Sequence, residues 1–232
     1  MPFFSLFCIM YQKRIIFSED GSHTIELVGM NEQYHSTHGA IQESNHVYID
    51  HGLEKVANDR KELCILEVGM GTGLNVILSW IYAKNHELKI FYQAIEAFPV
   101  VEEIWSQLNY TQKLDSTDSE EIFTKIHDSP WEEKTNLEKD FILLKMEETI
   151  QECKLPENVF DVVYFDAFNP DLEPNLWTET IFQKIYNSMK FDGILTTYST
   201  KGIVKRALKS CGFKIEKKPG PSGKREILNA IK

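Results

Sequence analysis

The chain has 232 residues, 42% hydrophobic and 26% charged, with a net charge of −10 at neutral pH. That length buries a substantial core and predicts one α/β domain with an appendage, and no apolar run approaches the roughly 18 residues of a membrane span. Cys8, Cys64, Cys153 and Cys211 are far apart with no C-x-x-C pair, so a disulfide framework and a zinc site are not expected, and reduced thiols in a cytoplasmic protein are.

In chain order, Met1 to Met10 is apolar but lacks a basic start and runs directly into Tyr11-Gln12-Lys13-Arg14, too short for a secretory signal. Residues 1–9 are read as a flexible extension, 10–62 as an N-terminal hairpin with a site-edge segment, and 63–232 as the main α/β domain. Arg14 to Leu27 predicts a hairpin turning at Asp20-Gly21. Tyr34 to Asp50 is polar and ends in a strand-like His46-Val47-Tyr48-Ile49, and His51 to Asn58 reads as a short helix. Ile65, Leu66 and Val68 form a buried strand, and Asn75 to Ala83 the helix after it. A second strand runs from Leu88 to Ile95, followed by a helix over Pro99 to Leu108, with proline in its first turn.

Residues 111–139 are acidic and weakly patterned and read as helix fragments and loop. Phe141 to Leu144 and Val159 to Phe165 are the third and fourth strands. An amphipathic helix (Trp177 to Met189), a fifth strand (Gly193 to Tyr198) and a helix (Ile203 to Cys211, stopped by Gly212) follow. Phe213 to Lys217 and Glu226 to Ile231 close the chain as a hairpin. Strands alternating with helices predict a mainly parallel sheet with ligands at the carboxyl ends of its strands, and the last hairpin adds one antiparallel strand.

Two clusters carry chemistry. Glu67-Val68-Gly69-Met70-Gly71-Thr72-Gly73-Leu74-Asn75 joins the first parallel strand to its helix. Its spacing is E-x-G-x-G-x-G, without the later glycine of a dinucleotide fingerprint or the lysine of a P-loop. Such a turn suits a ligand with an amino-acid tail and no phosphate, and S-adenosylmethionine is one. Glu96 ends the second strand, where a carboxylate accepts both ribose hydroxyls. An ordinary strand-to-helix turn presents the same glycines, but not the glycines together with Glu96. The second cluster, Tyr164 to Trp177, delivers Asp166 to the sheet edge beside the glycine turn. Pro170 and Pro174 then stiffen the exit that holds Phe168 and Trp177. Asp166 there can orient an amine and take its proton; as a plain turn aspartate it would do neither. The seven histidines show no metal spacing, and no metal is expected.

Charge is unevenly spread. Residues 201–232 hold ten Lys or Arg against Glu216 and Glu226, a local +8, whereas residues 1–200 carry −18. A basic face on an acidic body docks a polyanion in one orientation, although a solvated lysine-rich terminus has the same composition.

These segments resemble the methyltransferase half of the MnmC family, and more closely its stand-alone, single-domain (MnmD-type) members. The resemblance also rests on Glu19 to Thr24, Tyr34 to Val47, Thr197 to Gly202 and Gly220 to Glu226. It implies a Rossmann-like, class I S-adenosylmethionine-dependent fold. The implied reaction is methyl transfer to the aminomethyl nitrogen of a 5-aminomethyl-2-thiouridine at the tRNA wobble position. It implies tRNA as partner, no membrane, and no flavin domain in this chain. By resemblance, Glu67, Gly69, Gly71, Gly73, Asn75 and Glu96 hold the donor. Glu147, or alternatively Glu148, contacts the adenine, and Gln42 and Glu43 border the donor pocket. Asp166 is catalytic; Phe168, Pro170, Lys224, Arg225, Lys205 and Arg206 meet the substrate. Two rivals stand beside this reading: a small-molecule amine methyltransferase or polyamine-type aminopropyltransferase, and a catalytically silent RNA-binding module.

Overall fold

The computed structural model describes residues 12–30, 32–58 and 60–232, so the extension expected at 1–9 lies outside the described residues. Lys13–Phe17 (β1) and His23–Leu27 (β2) pair antiparallel about the expected turn, and Glu32–Gln33 (β3) adds a short third strand. Asp20 holds that turn by accepting from the Ser22 backbone N–H at 2.9 Å and the Ser18 hydroxyl at 2.8 Å.

The chain is then continuously helical, through Ala40–Ser44 (α1), a π-helical stretch Asn45–Leu53, and Glu54–Ala57 (α2). The strand expected at His46 to Ile49 is therefore corrected to helix. Locally that run is apolar and β-branched, which favours a strand. Yet Ala40, Glu43, Ser44, Val47 and Tyr48 are all buried, at helical spacing. Two members of that stripe are polar, so hydropathy hides the period. Side chains from the sheet anchor two carbonyls of this stretch. Thr196 Oγ1 donates to the Val47 carbonyl at 2.8 Å and Asn229 Nδ2 to the His51 carbonyl at 2.7 Å.

The remaining elements are Glu62–Val68 (β4), Leu74–Asn85 (α3), Lys89–Ile95 (β5), Glu102–Trp105 (α4), Tyr110–Lys113 (α5), Ser119–Asp128 (α6), Lys134–Glu138 (β6) and Phe141–Met146 (β7). Phe160–Phe165 (β8), Glu179–Ser188 (α7), Met189–Thr197 (β9), Gly202–Ser210 (α8), Lys214–Pro219 (β10) and Glu226–Ile231 (β11) follow. The helix expected over Pro99 to Leu108 shrinks to the single turn of α4. The weakly patterned 111–139 region contains a strand, β6, that its composition conceals. Among the described residues β6 pairs only with β7, as an edge strand, and of its own residues buries Leu137 alone, so it needs no apolar alternation.

The sheet order is β10-β11-β9-β8-β4-β5-β7-β6. The five central strands are parallel; β11 runs antiparallel to β9, as expected of the last hairpin, and β6 antiparallel to β7. Strand alternation feeds two cores. Leu63, Ile65, Val162 and Tyr164 pack beneath α3 and the π-helical stretch; Leu66, Val68, Val163 and Phe165 pack against residues of α7 and α8. Among the described residues, no helix is long and apolar enough to cross a membrane.

Gly52 is what lets the π-helical stretch lie on the sheet: a Cβ there would come within 2.9 Å of Thr196 Cγ2 and 3.3 Å of the Tyr164 ring. Gly52→Ala is expected to lower unfolding free energy by about 1–3 kcal/mol, the usual range for overpacking, as measured by urea titration.

Candidate donor and substrate site

After β4 the chain passes to β5 and β7 on one side, then returns to lay β8 on the other side of β4. The carboxyl ends of β4 and β8 are therefore the switch point at which loops diverge and a crevice opens. Register places Val68 beside Phe165, and the Asp166 N–H donates to the Val68 carbonyl at 2.9 Å. The residue after β4, Gly69, has φ +90°, and a Cβ there would lie 2.6 Å from the Asp166 carbonyl oxygen. Only glycine lets the two strand exits pass this closely.

The rest of the turn is fixed from three directions. Glu96 accepts the Gly71 N–H on one carboxylate oxygen and the Phe98 N–H on the other, both at 2.8 Å. His35 Nε2 lies 2.8 Å from Thr72 Oγ1, and His127 Nε2 donates to the Thr72 carbonyl at 3.2 Å. Burial drives His35 down to about 4; burial, with the charge of Lys145, drives His127 to about 3. Both rings are thus neutral hydrogen-bonding struts.

Beneath the turn, the Asn75 amide donates to Glu67 Oε1 and to Asp166 Oδ2, each at 2.9 Å. Tyr92 Oη satisfies the other Glu67 oxygen at 2.9 Å, and Tyr48 Oη donates to Asp166 Oδ1 at 2.5 Å. Burial raises the Asp166 carboxyl to about 7; the Tyr48 hydrogen bond opposes that rise, Glu43's charge adds to it, and Asn75 and Lys224 oppose it. A carboxylate ionising near neutrality is a competent proton acceptor for an amine.

Glu96 borders a pocket of about 60 Å³ whose walls include Met70, Gly71, Trp105, His127, Trp131 and Lys145. His127 stacks on Trp105 with centroids 4.4 Å apart and planes 6° from parallel. Lys145 is 1% exposed, donates to the His127 carbonyl at 2.7 Å, and sits 4.7 Å from the Trp131 ring centre. Sequence reading missed these aromatic and basic walls, because they come from separate elements with no common spacing. Glu147 is exposed just beyond β7 and is not part of that wall. Glu67 is fully buried, so its carboxylate organises the turn from below.

On the Asp166 side, Phe168 meets Tyr34 edge-to-face at 5.2 Å, and Trp177 donates to the Phe168 carbonyl at 2.8 Å. Pro170 is buried there. Glu43, 7% exposed, accepts the Ser36 N–H at 2.7 Å and pairs with Lys224, whose Nζ lies 4.3 Å from the Tyr198 ring centre. Gln42 is exposed beside it. Arg225 and Arg206 are exposed and Lys205 half-buried.

Residues 111–232 match the family model described as S-adenosyl-L-methionine-dependent methyltransferase. The tRNA 5-methylaminomethyl-2-thiouridine biosynthesis bifunctional protein MnmC of Cupriavidus metallidurans is 27% identical over 209 residues, 86% of this chain and 31% of that protein. The protein of the same name from Burkholderia multivorans is 27% identical over 225 residues, 92% of this chain and 34% of its own length. The chain thus spans about a third of the curated relatives it matches. The crystal structure of MnmC2 from Aquifex aeolicus aligns with a TM-score of 0.72 at 26% identity, over 95% of this chain and 70% of that one. A spermidine synthase in complex with the transition-state analogue AdoDATO shares the fold, with a TM-score of 0.56 at 16% identity over 95% of this chain and 70% of that one.

Because Glu96 both shapes Gly71 and faces the pocket, Glu96→Ala is expected to weaken S-adenosylmethionine binding by about 1.5–3 kcal/mol, the range for hydrogen bonds to a charged group. Calorimetric titration measures it, and unchanged affinity would take Glu96 out of the donor site.

Proposed function

The chain belongs to the S-adenosyl-L-methionine-dependent methyltransferase family, and on that premise we propose that it methylates the aminomethyl nitrogen of 5-aminomethyl-2-thiouridine at the wobble position of tRNA, in the cytoplasm. The observation that carries the reading is Asp166, ionising near neutrality, against the glycine turn at the switch point. The residues fit the donor. Glu96 lines the pocket beside Met70 and Gly71 of the turn, a carboxylate of the kind that accepts ribose hydroxyls, and Trp105 and Trp131 line the same pocket with flat rings suited to an adenine.

When bound, the donor supplies an activated methyl group on a sulfonium. The chain's own residues place the acceptor and manage its proton. An ammonium has no lone pair, so the site must present the neutral amine. As the N–C bond forms and the S–C bond breaks, the nitrogen becomes positive, and Asp166 takes the proton it sheds. Holding the nitrogen in line contributes about 7–11 kcal/mol of such a barrier. Phe168 and Tyr34 form an aromatic edge on which a base can stack. Glu67 and Asn75 hold this arrangement from below.

For the tRNA body, Lys224 is occupied by Glu43 and forms the site wall; the phosphate contacts fall to Arg225, Lys205 and Arg206. A second reading, a small polyamine-like acceptor, has one observation in its favour. Tyr198 lies in the combined negative field of Asp166, Glu32, Glu43 and Glu173, which would attract a free polycation. Mass analysis of wobble nucleosides, after incubating undermodified tRNA with the protein and donor, separates the two.

Asp166→Ala is expected to reduce single-turnover transfer by at least about a hundredfold, the scale of general-base catalysis, with little change in donor affinity. In the wild type, transfer requires ionised Asp166, so the rate should climb through about pH 7 and level off above it. Charge reversal at Lys205 and Arg206 should raise the tRNA KM and flatten its log–log salt dependence by about 0.7–0.9 per lost contact. A charge-reversed protein that methylates tRNA normally at physiological salt would remove this face from the docking surface.

A further inference from the structure

We propose that Tyr48 is the positioning residue of the reaction: its hydroxyl, 2.5 Å from Asp166 Oδ1 while the Asn75 amide holds Oδ2, fixes the carboxylate in the orientation from which it meets the substrate amine. This rests on the reading of Asp166 as the proton acceptor. Each Asp166 oxygen accepts one bond from the protein and retains a second lone pair for the substrate. The carboxylate can then neither rotate about its bond to Cβ nor turn away without stranding a buried donor.

Tyr48 can hold this place because of its setting. It is 2% exposed, and its ring packs on Tyr164 at 5.2 Å, with planes at 47°. The π-helical stretch that carries it is pinned to the sheet through the Val47 and His51 carbonyls on either side. Burial and the facing Asp166 push the phenol far above its ordinary value, so it donates at every working pH. The contact distance is at the short, charge-assisted end for O–H···O bonds.

Other titratable groups interact with Asp166: Glu43 from α1, Glu67 from β4, Tyr92 from β5, Lys224 from the loop between β10 and β11, and Tyr198 beyond β9. Glu43 and Lys224 are paired with each other, so their effects on Asp166 offset one another. The Tyr48 bond is the strongest opponent of burial at Asp166. A hydrogen bond to the charged form favours that form, so removing the hydroxyl should make the carboxyl harder to ionise.

Tyr48→Phe deletes one oxygen and keeps the ring packing. The acid limb of the pH–rate profile should move up by about one pH unit, so that transfer at pH 6 falls about tenfold while transfer at pH 9 changes little. A merely structural role would lower the rate equally at all pH values. A second readout needs no substrate: the carbon-13 shift of the Asp166 carboxyl, assigned by its loss in Asp166→Asn, should titrate later in Tyr48→Phe. 3-Fluorotyrosine at position 48, a stronger donor of nearly the same size, should move both readouts the opposite way and covers the case in which the phenylalanine variant folds poorly. If wild-type protein methylates tRNA but neither replacement moves the limb or the titration, the positioning role is overturned and the function stands. If wild-type protein methylates no tRNA, the functional reading fails, and the carbon titration still decides whether Tyr48 governs Asp166.

Discussion

The amide of Asn75 is the interaction on which the site depends. One nitrogen reaches Glu67 at the end of β4 and Asp166 at the end of β8, two strands that meet only because the chain crosses over between them. Two carboxylates this close, Glu67 fully buried and Asp166 half-buried, would repel each other and lose hydration. The amide, with Tyr92 and Tyr48 on the outer oxygens, gives every one of their four oxygens a donor. Burial still pushes the Glu67 carboxyl well up and brings Asp166 to about 7. The same arrangement that makes the fold tolerate Asp166 therefore tunes it.

The N-terminal segment belongs to this logic. Its hairpin and helical stretch are not an ornament on a finished domain, since Ile25, Val47, Tyr48 and Leu53 share one core with Ile65, Ile77 and Tyr164. His35 from this segment and His127 from α6 grip Thr72 from two sides. Kept uncharged by burial, they hold a turn whose alternate residues are glycines, so that only Met70 and Thr72 contribute side chains to its packing. The flexibility that glycine brings in the unfolded chain is removed by neighbours far away in sequence.

Charge is divided along the chain in a way that matches these roles. The acidic body concentrates carboxylates around Tyr198, while the last 32 residues carry +8. Lys224 links the two regions: it spans from the C-terminal hairpin to Glu43 and closes the site wall. Arg206 and Arg225 are exposed.

Much of this was legible in the sequence. Apolar strands alternating with helices determined the parallel sheet, and the E-x-G-x-G-x-G run with Glu96 and Asp166 marked the turn and the strand ends that come together at the sheet edge. Those features are local: a strand, its turn and the residue at its end are neighbours along the chain. Tertiary structure alone decided the rest. It made helix of His46 to Ile49, because the buried stripe there includes the polar Glu43 and Ser44, and Glu43 is paired with Lys224 far along the chain. It made a strand of β6, because an edge position asks for no apolar pattern. It also paired Lys224 with Glu43 and brought Tyr48 to Asp166, 118 positions apart. Hydrogen bonds between residues so distant leave no spacing for a sequence to reveal, since only the fold sets the distance between them.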